Sequence, residues 1–136
     1  MTEKELIKLA VEARKKSYAP YSHFHVGACL ETKTGKCFSG CNVENAAFTP
    51  TNCAERTAFF KAVSEGEKKF KRIAIVGGGE DGEMQFCSPC GVCRQVMMEF
   101  CEPESFQIIV AKSEAEYKVF TLAELMPEGF GPDNLN

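Results

Sequence analysis

"NCAERTAFFKAVSEGEKKFKRIAIVGGG", Asn52 to Gly79, sets one helix directly before one strand, and that succession decides the class of fold. Polar residues and Pro50 lead into Cys53. Ala58, Phe59, Ala62 and Val63 then recur at helical spacing, and Gly66 stops the pattern. The spacing predicts a helix of about three turns beginning close to Cys53. The Lys-rich stretch 68–72 reads as a short solvated loop. "RIAIVGGG" is a short apolar run closed by glycines, hence a buried strand.

Working outward, Thr2 and Glu5 form a capping box that opens a helix. Its face carries Leu6, Leu9, Ala10 and Ala13, and it runs to about Ser17 before "YAPYS" breaks it. "FHVGACLET" and "KCFSGCNVE" flank "KTG", a hairpin with Gly35 at the turn. Downstream, "SPCGVCRQVMMEFC" enters a second helix near Cys90, and "SFQIIVAK" and "YKVFT" read as strands. Thr121 and Glu124 make another capping box, opening a short helix that stops at Pro127; the tail from Glu128 is irregular. Together these elements predict an α/β layering of about five strands with helices on both faces, the strand order left open. No repeat or linker divides residues 1–136, so a single domain is expected.

Composition narrows the classes of function. The net charge is −3, so the summed field offers nucleic acid polymers and anionic membrane surfaces no attraction. The N-terminal residues mix charge through their apolar positions, unlike a signal peptide, and no apolar run reaches membrane-spanning length. A cytoplasmic location follows as the expectation. In that reducing setting, eight cysteines point to metal binding or catalysis rather than to disulfides.

Three of them share a context. Cys53 and Cys90 fall at expected helix starts, and Cys93 lies in the first turn of the second helix. A helix N-terminus carries partial positive charge and unpaired N–H groups, which favour thiolate. Two such termini converging would present three thiolates to one cation, and zinc accepts sulfur ligands at ~2.3 Å. Three protein ligands suit a catalytic zinc, four a structural one, and Cys87 or Cys41 stays open as a fourth. Glu55, two residues beyond Cys53, is placed to reach the same pocket without being a ligand. A carboxylate beside activated water acts as general acid and base. Arg56 would draw charge off the thiolates.

"CAE" followed by "PCGVC" is the all-cysteine form of the zinc deaminase pattern. Five blocks in order, "YAPYSHFHVGA", "GCNVENAAF", "NCAERTAFFKAVSEG", "SPCGVCRQV" and "ELMPEGF", closely resemble the small homotetrameric cytidine deaminases. The resemblance implies a three-layer α/β/α fold with a mixed sheet of about five strands. It implies one Zn²⁺ per subunit on Cys53, Cys90 and Cys93, with Glu55 as proton shuttle and Arg56 beside the thiolates. It also implies that Asn42 and Glu44 contact the sugar, chiefly its 3′-OH, and that Phe24 walls the pyrimidine pocket. The N–H of Ala54 would meet the base carbonyl, and Phe130 would reach a neighbouring subunit's site. The implied reaction converts free cytidine and 2′-deoxycytidine to their uridine counterparts with release of ammonia, in pyrimidine salvage.

One departure stands out: Phe48 occupies a position where the family often has Tyr, so a hydroxyl near the sugar's 5′ end is missing. Rival readings are a deaminase of a cytosine nucleoside antibiotic, a polynucleotide-editing deaminase, a redox C-x-x-C and a non-enzymatic structural-zinc module. "NVENAAF" opposes the first, and the absence of extra length and of a basic, aromatic-interleaved surface opposes the second. The redox reading leaves Glu55 unexplained. Cys29, Cys37, Cys41, Cys87 and Cys101 read as plain thiols, and His23 and His25 have no assigned role.

Overall fold

Alternating burial on both faces of a mixed sheet organises the computed structural model, which describes residues 1–135. The strands are β1 (Phe24–Thr32), β2 (Cys37–Cys41), β3 (Phe70–Gly79), β4 (Gln107–Ala111) and β5 (Tyr117–Thr121). They lie in the order β2-β1-β3-β4-β5, antiparallel except for the β3/β4 pair. Helix α1 (Glu3–Arg14) covers one face, where Leu6, Ile7 and Ala10 pack on Cys29, Ala74, Val76 and Ile109. Helices α2 (Ala54–Ser64), α3 (Gly91–Phe100) and α4 (Leu122–Leu125) occupy the other. There Phe59, Ala62 and Met97 meet Leu30, Ile73, Ile75 and Ile108. Odd and even residues of each central strand thus bury on opposite sides, the pattern of a sheet covered twice. The three-layer α/β/α expectation holds.

Local signals placed most boundaries. Both capping boxes, Thr2–Glu5 and Thr121–Glu124, are formed, and the first turns of α2 and α3 start directly after Cys53 and Cys90. Three expectations differ. Leu9, expected on the packed face of α1, is exposed, and Ile7 is buried there instead. α1 ends at Arg14 because the next N–H groups, of Lys16 and Ser17, bond three residues back in a tighter turn. Stretch 68–72 is not a solvated loop throughout: β3 begins at Phe70, and Arg72 is buried against Glu31, Nε to Oε1 2.6 Å. The carboxylate that lets Arg72 enter the sheet sits in register on β1, far away in sequence.

Two glycines set how closely the helices sit. A Cβ at Gly27 would lie 2.1 Å from the Ala10 carbonyl oxygen of α1. On the other face, a Cβ at Gly40 would lie 2.4 Å from the Ala54 oxygen and 2.6 Å from the Ala58 nitrogen. Both obstacles are backbone, which no rotamer change relieves. Gly40→Ala is therefore expected to destabilise the fold by about 3 kcal/mol, read as a lower urea midpoint. It acts on the turn of α2 that carries Cys53 and Glu55, so an unchanged midpoint would contradict this packing.

Candidate active site

Two helix N-termini point their first turns at one spot. Cys53 and Cys90 are the N-cap residues of α2 and α3, both extended, and neither side chain makes a capping hydrogen bond. Their thiols turn instead toward each other, with Sγ atoms 3.7 Å apart. Buried Cys93 joins them, and the three sulfurs all lie within 4.8 Å of one another. Sulfurs at ~2.3 Å from a tetrahedral zinc stand about 3.8 Å apart, so the Cys53–Cys90 separation fits that ion. Among the described residues no other such cluster exists, and neither Cys41 nor Cys87 belongs to it. The first turn of α2 is braced from below. Thr57 Oγ1 donates to the Cys53 carbonyl at 3.1 Å, and Asn52 Nδ2 donates to Thr57 Oγ1 at 3.1 Å.

Charge around the thiols is unevenly held. A hydrogen bond from Cys93, with help from Arg56 and Cys90, holds the Cys53 thiol down at about 5 against the cost of burial. The same Cys53–Cys93 bond, followed by burial, pushes Cys93 upward. Arg56 supplies the countercharge: its Nη2 donates to Cys53 Sγ at 3.3 Å. Its Nε is buried with no partner among the described residues.

Glu55 lies beside this cluster and is only 4% exposed. Burial pushes its carboxyl up to about 7, with the charge on Cys53 adding to the rise; its own backbone N–H and Arg56 oppose it. An acid poised near neutrality gives and takes protons at low cost.

A cleft of about 330 Å³ opens over these groups. Phe24 and Val26 of β1 form an apolar wall, and Asn42, Glu44, Ala54 and Glu55 also line it. As the first residue of α2, Ala54 carries one of the N–H groups that a helix leaves without an intrahelical partner. Asn42 clasps β1, accepting from Val26 N at 2.8 Å and donating to Phe24 O at 2.8 Å. One N–H and one lone pair of its amide remain for another partner. The cleft thus brings together every expected site residue except three: Arg56, which donates to Cys53 Sγ, Cys93, which is buried within the thiol cluster, and Phe130. Phe130 lies 56% exposed outside the lining, its carbonyl accepting from Gln95 Nε2 at 2.8 Å. Phe48 is 90% exposed and also outside it.

Some neighbours had no sequence signal. Ser22 and Ser88 line the cleft, as does Cys87, which the sequence left open as a fourth thiol, and Glu80 Oε1 lies 3.2 Å from His23 Nδ1 and 3.1 Å from His25 Nε2. The histidines are thereby tied to the end of β3 rather than to the thiols.

Residues 1–109 match the family model described as the cytidine and deoxycytidylate deaminase zinc-binding region. The chain belongs to this family. A cytidine deaminase of Sporosarcina psychrophila is 43% identical over 136 residues, covering 100% of this chain and 96% of that one. The crystal structure of a cytidine deaminase from Burkholderia pseudomallei superposes with a TM-score of 0.86 at 44% identity, covering 96% of this chain and 100% of the other. A blasticidin-S deaminase of Bacillus cereus is also similar, 34% identical over 127 residues and spanning 90% of this chain and 88% of its own. Membership in a zinc-binding family and a thiol cluster of matching size agree on the metal.

Proposed function

We propose that the chain hydrolytically deaminates free cytidine and 2′-deoxycytidine, as a single catalytic domain over residues 1–136. The observation that carries this reading is a buried carboxyl, Glu55, lining one cleft with Cys53 and Cys90, which buried Cys93 completes as a three-thiol cluster. A structural zinc module has no use for such a group, whose burial is costly. Cys53, Cys90 and Cys93 would hold the zinc, with Arg56 offsetting the charge of the thiolates. When bound there, zinc supplies a Lewis acid that makes water nucleophilic at neutral pH.

The chain's own groups then account for the remainder. Phe24 and Val26 hold the pyrimidine ring, and the Ala54 N–H donates to its carbonyl. Glu55 accepts a proton from the attacking water and delivers it to the ring nitrogen beside the amino-bearing carbon. It then moves the remaining hydroxyl proton to the amino group, which leaves as ammonia while the ring carbonyl forms. Asn42 and Glu44 read the sugar hydroxyls. Among the described residues none that lines the cleft is Lys, Arg or His, and two are carboxylic acids. That lining favours an uncharged nucleoside over a phosphorylated one.

Assembly as a homotetramer, with Phe130 reaching a neighbouring cleft, fits an exposed aromatic held by its backbone to α3. A reducing cytoplasm and a part in pyrimidine salvage suit a three-thiol site and this substrate. Purified protein incubated with cytidine, with and without a chelator, tests the reading by ultraviolet absorbance loss and ammonia release. Chelator-sensitive turnover is expected. A zinc-loaded sample with no turnover refutes it, and exclusive turnover of a cytosine nucleoside antibiotic assigns the site to that substrate instead.

A further inference from the structure

We propose that Ser22 is a positioning residue for the sugar end of the cleft, acting through Glu44 and Phe24. Its hydroxyl serves both sides at once: the O–H donates to Glu44 Oε2, and the oxygen accepts the Phe24 N–H at 3.0 Å. The other carboxylate oxygen, Oε1, accepts the N–H of Tyr21 at 3.0 Å and of Ser22 at 3.1 Å. The Tyr21–Ser22 turn therefore gives Glu44 three donors. The two segments are held together by backbone as well, Glu44 N to Tyr18 O at 2.8 Å and Tyr18 N to Asn42 O at 2.9 Å.

This arrangement limits what Glu44 can read. A carboxylate offers about four acceptor positions, and three are filled by the chain itself. One remains, which suits a single hydroxyl rather than a pair. The Ser22 hydroxyl is also the main reason the Glu44 carboxyl is held below the usual carboxylate range, with the two backbone N–H groups contributing. Glu44 thus stays ionised and aimed. On the facing side, Phe24 is fixed at its N–H by Ser22 and at its carbonyl by Asn42. The serine sets the separation between the carboxylate and the aromatic wall.

The proposal rests on the reading of Glu44 as a sugar contact, and a double-mutant cycle separates the two. Kinetics on cytidine would be measured for Ser22→Ala, Ser22→Thr, Glu44→Gln and the Ser22→Ala/Glu44→Gln pair, with melting temperatures alongside. Losing a hydrogen bond to a charged group should raise KM about ten-fold in Ser22→Ala, with kcat within about two-fold. Threonine, which keeps the hydroxyl, should restore KM to within about two-fold. Because Ser22 acts in part through Glu44, the rise in KM of the double variant should fall clearly short of the product of the two single rises. An unchanged KM in Ser22→Ala beside a raised KM in Glu44→Gln overturns the role of Ser22 only. Effects that multiply in the double variant overturn it too, since they describe independent structural damage. If Glu44→Gln itself leaves KM unchanged, the sugar reading of Glu44 fails and the Ser22 role falls with it. Should Ser22→Ala not fold, Ser22→Cys, similar in shape but a weak donor, takes its place in the cycle.

Discussion

Glu55→Gln is expected to lower kcat on cytidine by about 1,000-fold or more while the protein keeps its zinc. General acid–base groups contribute about 10²–10⁴-fold, and Glu55 is asked to move two protons, which places it toward the upper end. The glutamine keeps the size of the side chain and removes only the proton carrier. Glu55 is not among the clustered sulfur donors, so metal content should be unaffected. The same variant carries a second, independent readout in stability. The folded carboxyl is pushed up from 4.5 to about 7. Between those values the folded chain binds more protons than the unfolded one, so stability falls as pH rises through that window. Glutamine lacks the titration. With a chelator present, the variant should therefore gain melting temperature over the native chain at pH 8, and the gain should vanish toward pH 4. Native-like kcat in the variant would remove Glu55 from the chemistry. An absent stability gain would show instead that the carboxyl is not desolvated.

How much of this was legible in the sequence depends on how far each partner lies along the chain. Helix starts at Cys53 and Cys90, both capping boxes and the Gly35 hairpin are written within a few residues, and they were readable. The three thiols were readable too, because two helix starts with a C-x-x-C spacing leave few ways to converge. What resisted was pairing across the fold. Arg72 looked solvated because its carboxylate, Glu31, is on a strand 41 residues earlier. Strand order followed the same rule, since alternation reports which faces are buried and not which edges meet. Ser22 carried no local signal because its partner, Glu44, is brought close by contacts of the segment after β2 with Tyr18 and with the start of β1. Arg14 is similar: nothing near it in the sequence names its partners. In the fold its Nε donates to His25 O at 2.8 Å and its Nη2 to Gly78 O at 3.0 Å, joining α1 to the strand ends near the cleft. Substrate-end geometry is thus the part that composition and periodicity leave out.

Cys90→Ser should strip the protein of zinc and of turnover while leaving the fold in place. Of the three thiols Cys90 is the exposed one, whereas Cys93 is 1% exposed and packed inside. A serine at position 93 would confuse loss of a ligand with damage to the core, and a serine at position 90 does not. A neutral hydroxyl is a poor substitute for thiolate on zinc, and two thiols remain. Mutating mere outer-shell partners of a metal already costs about 10–100-fold in affinity, so losing a ligand should weaken zinc binding by more than about 100-fold. After dialysis against a chelator, zinc should fall from one per chain to below about one tenth. The kcat should fall with it, and the far-ultraviolet circular dichroism should be retained. The zinc-dependent part of the melting temperature should also disappear, because a ligand that binds only the folded state stabilises it by mass action. Cys41→Ser, whose thiol lies outside the cluster, is the matched control and should keep both metal and activity. Full zinc and activity in Cys90→Ser would break the three-thiol assignment. Loss of zinc from Cys87→Ser would add a fourth ligand and close the coordination position that hydrolysis requires.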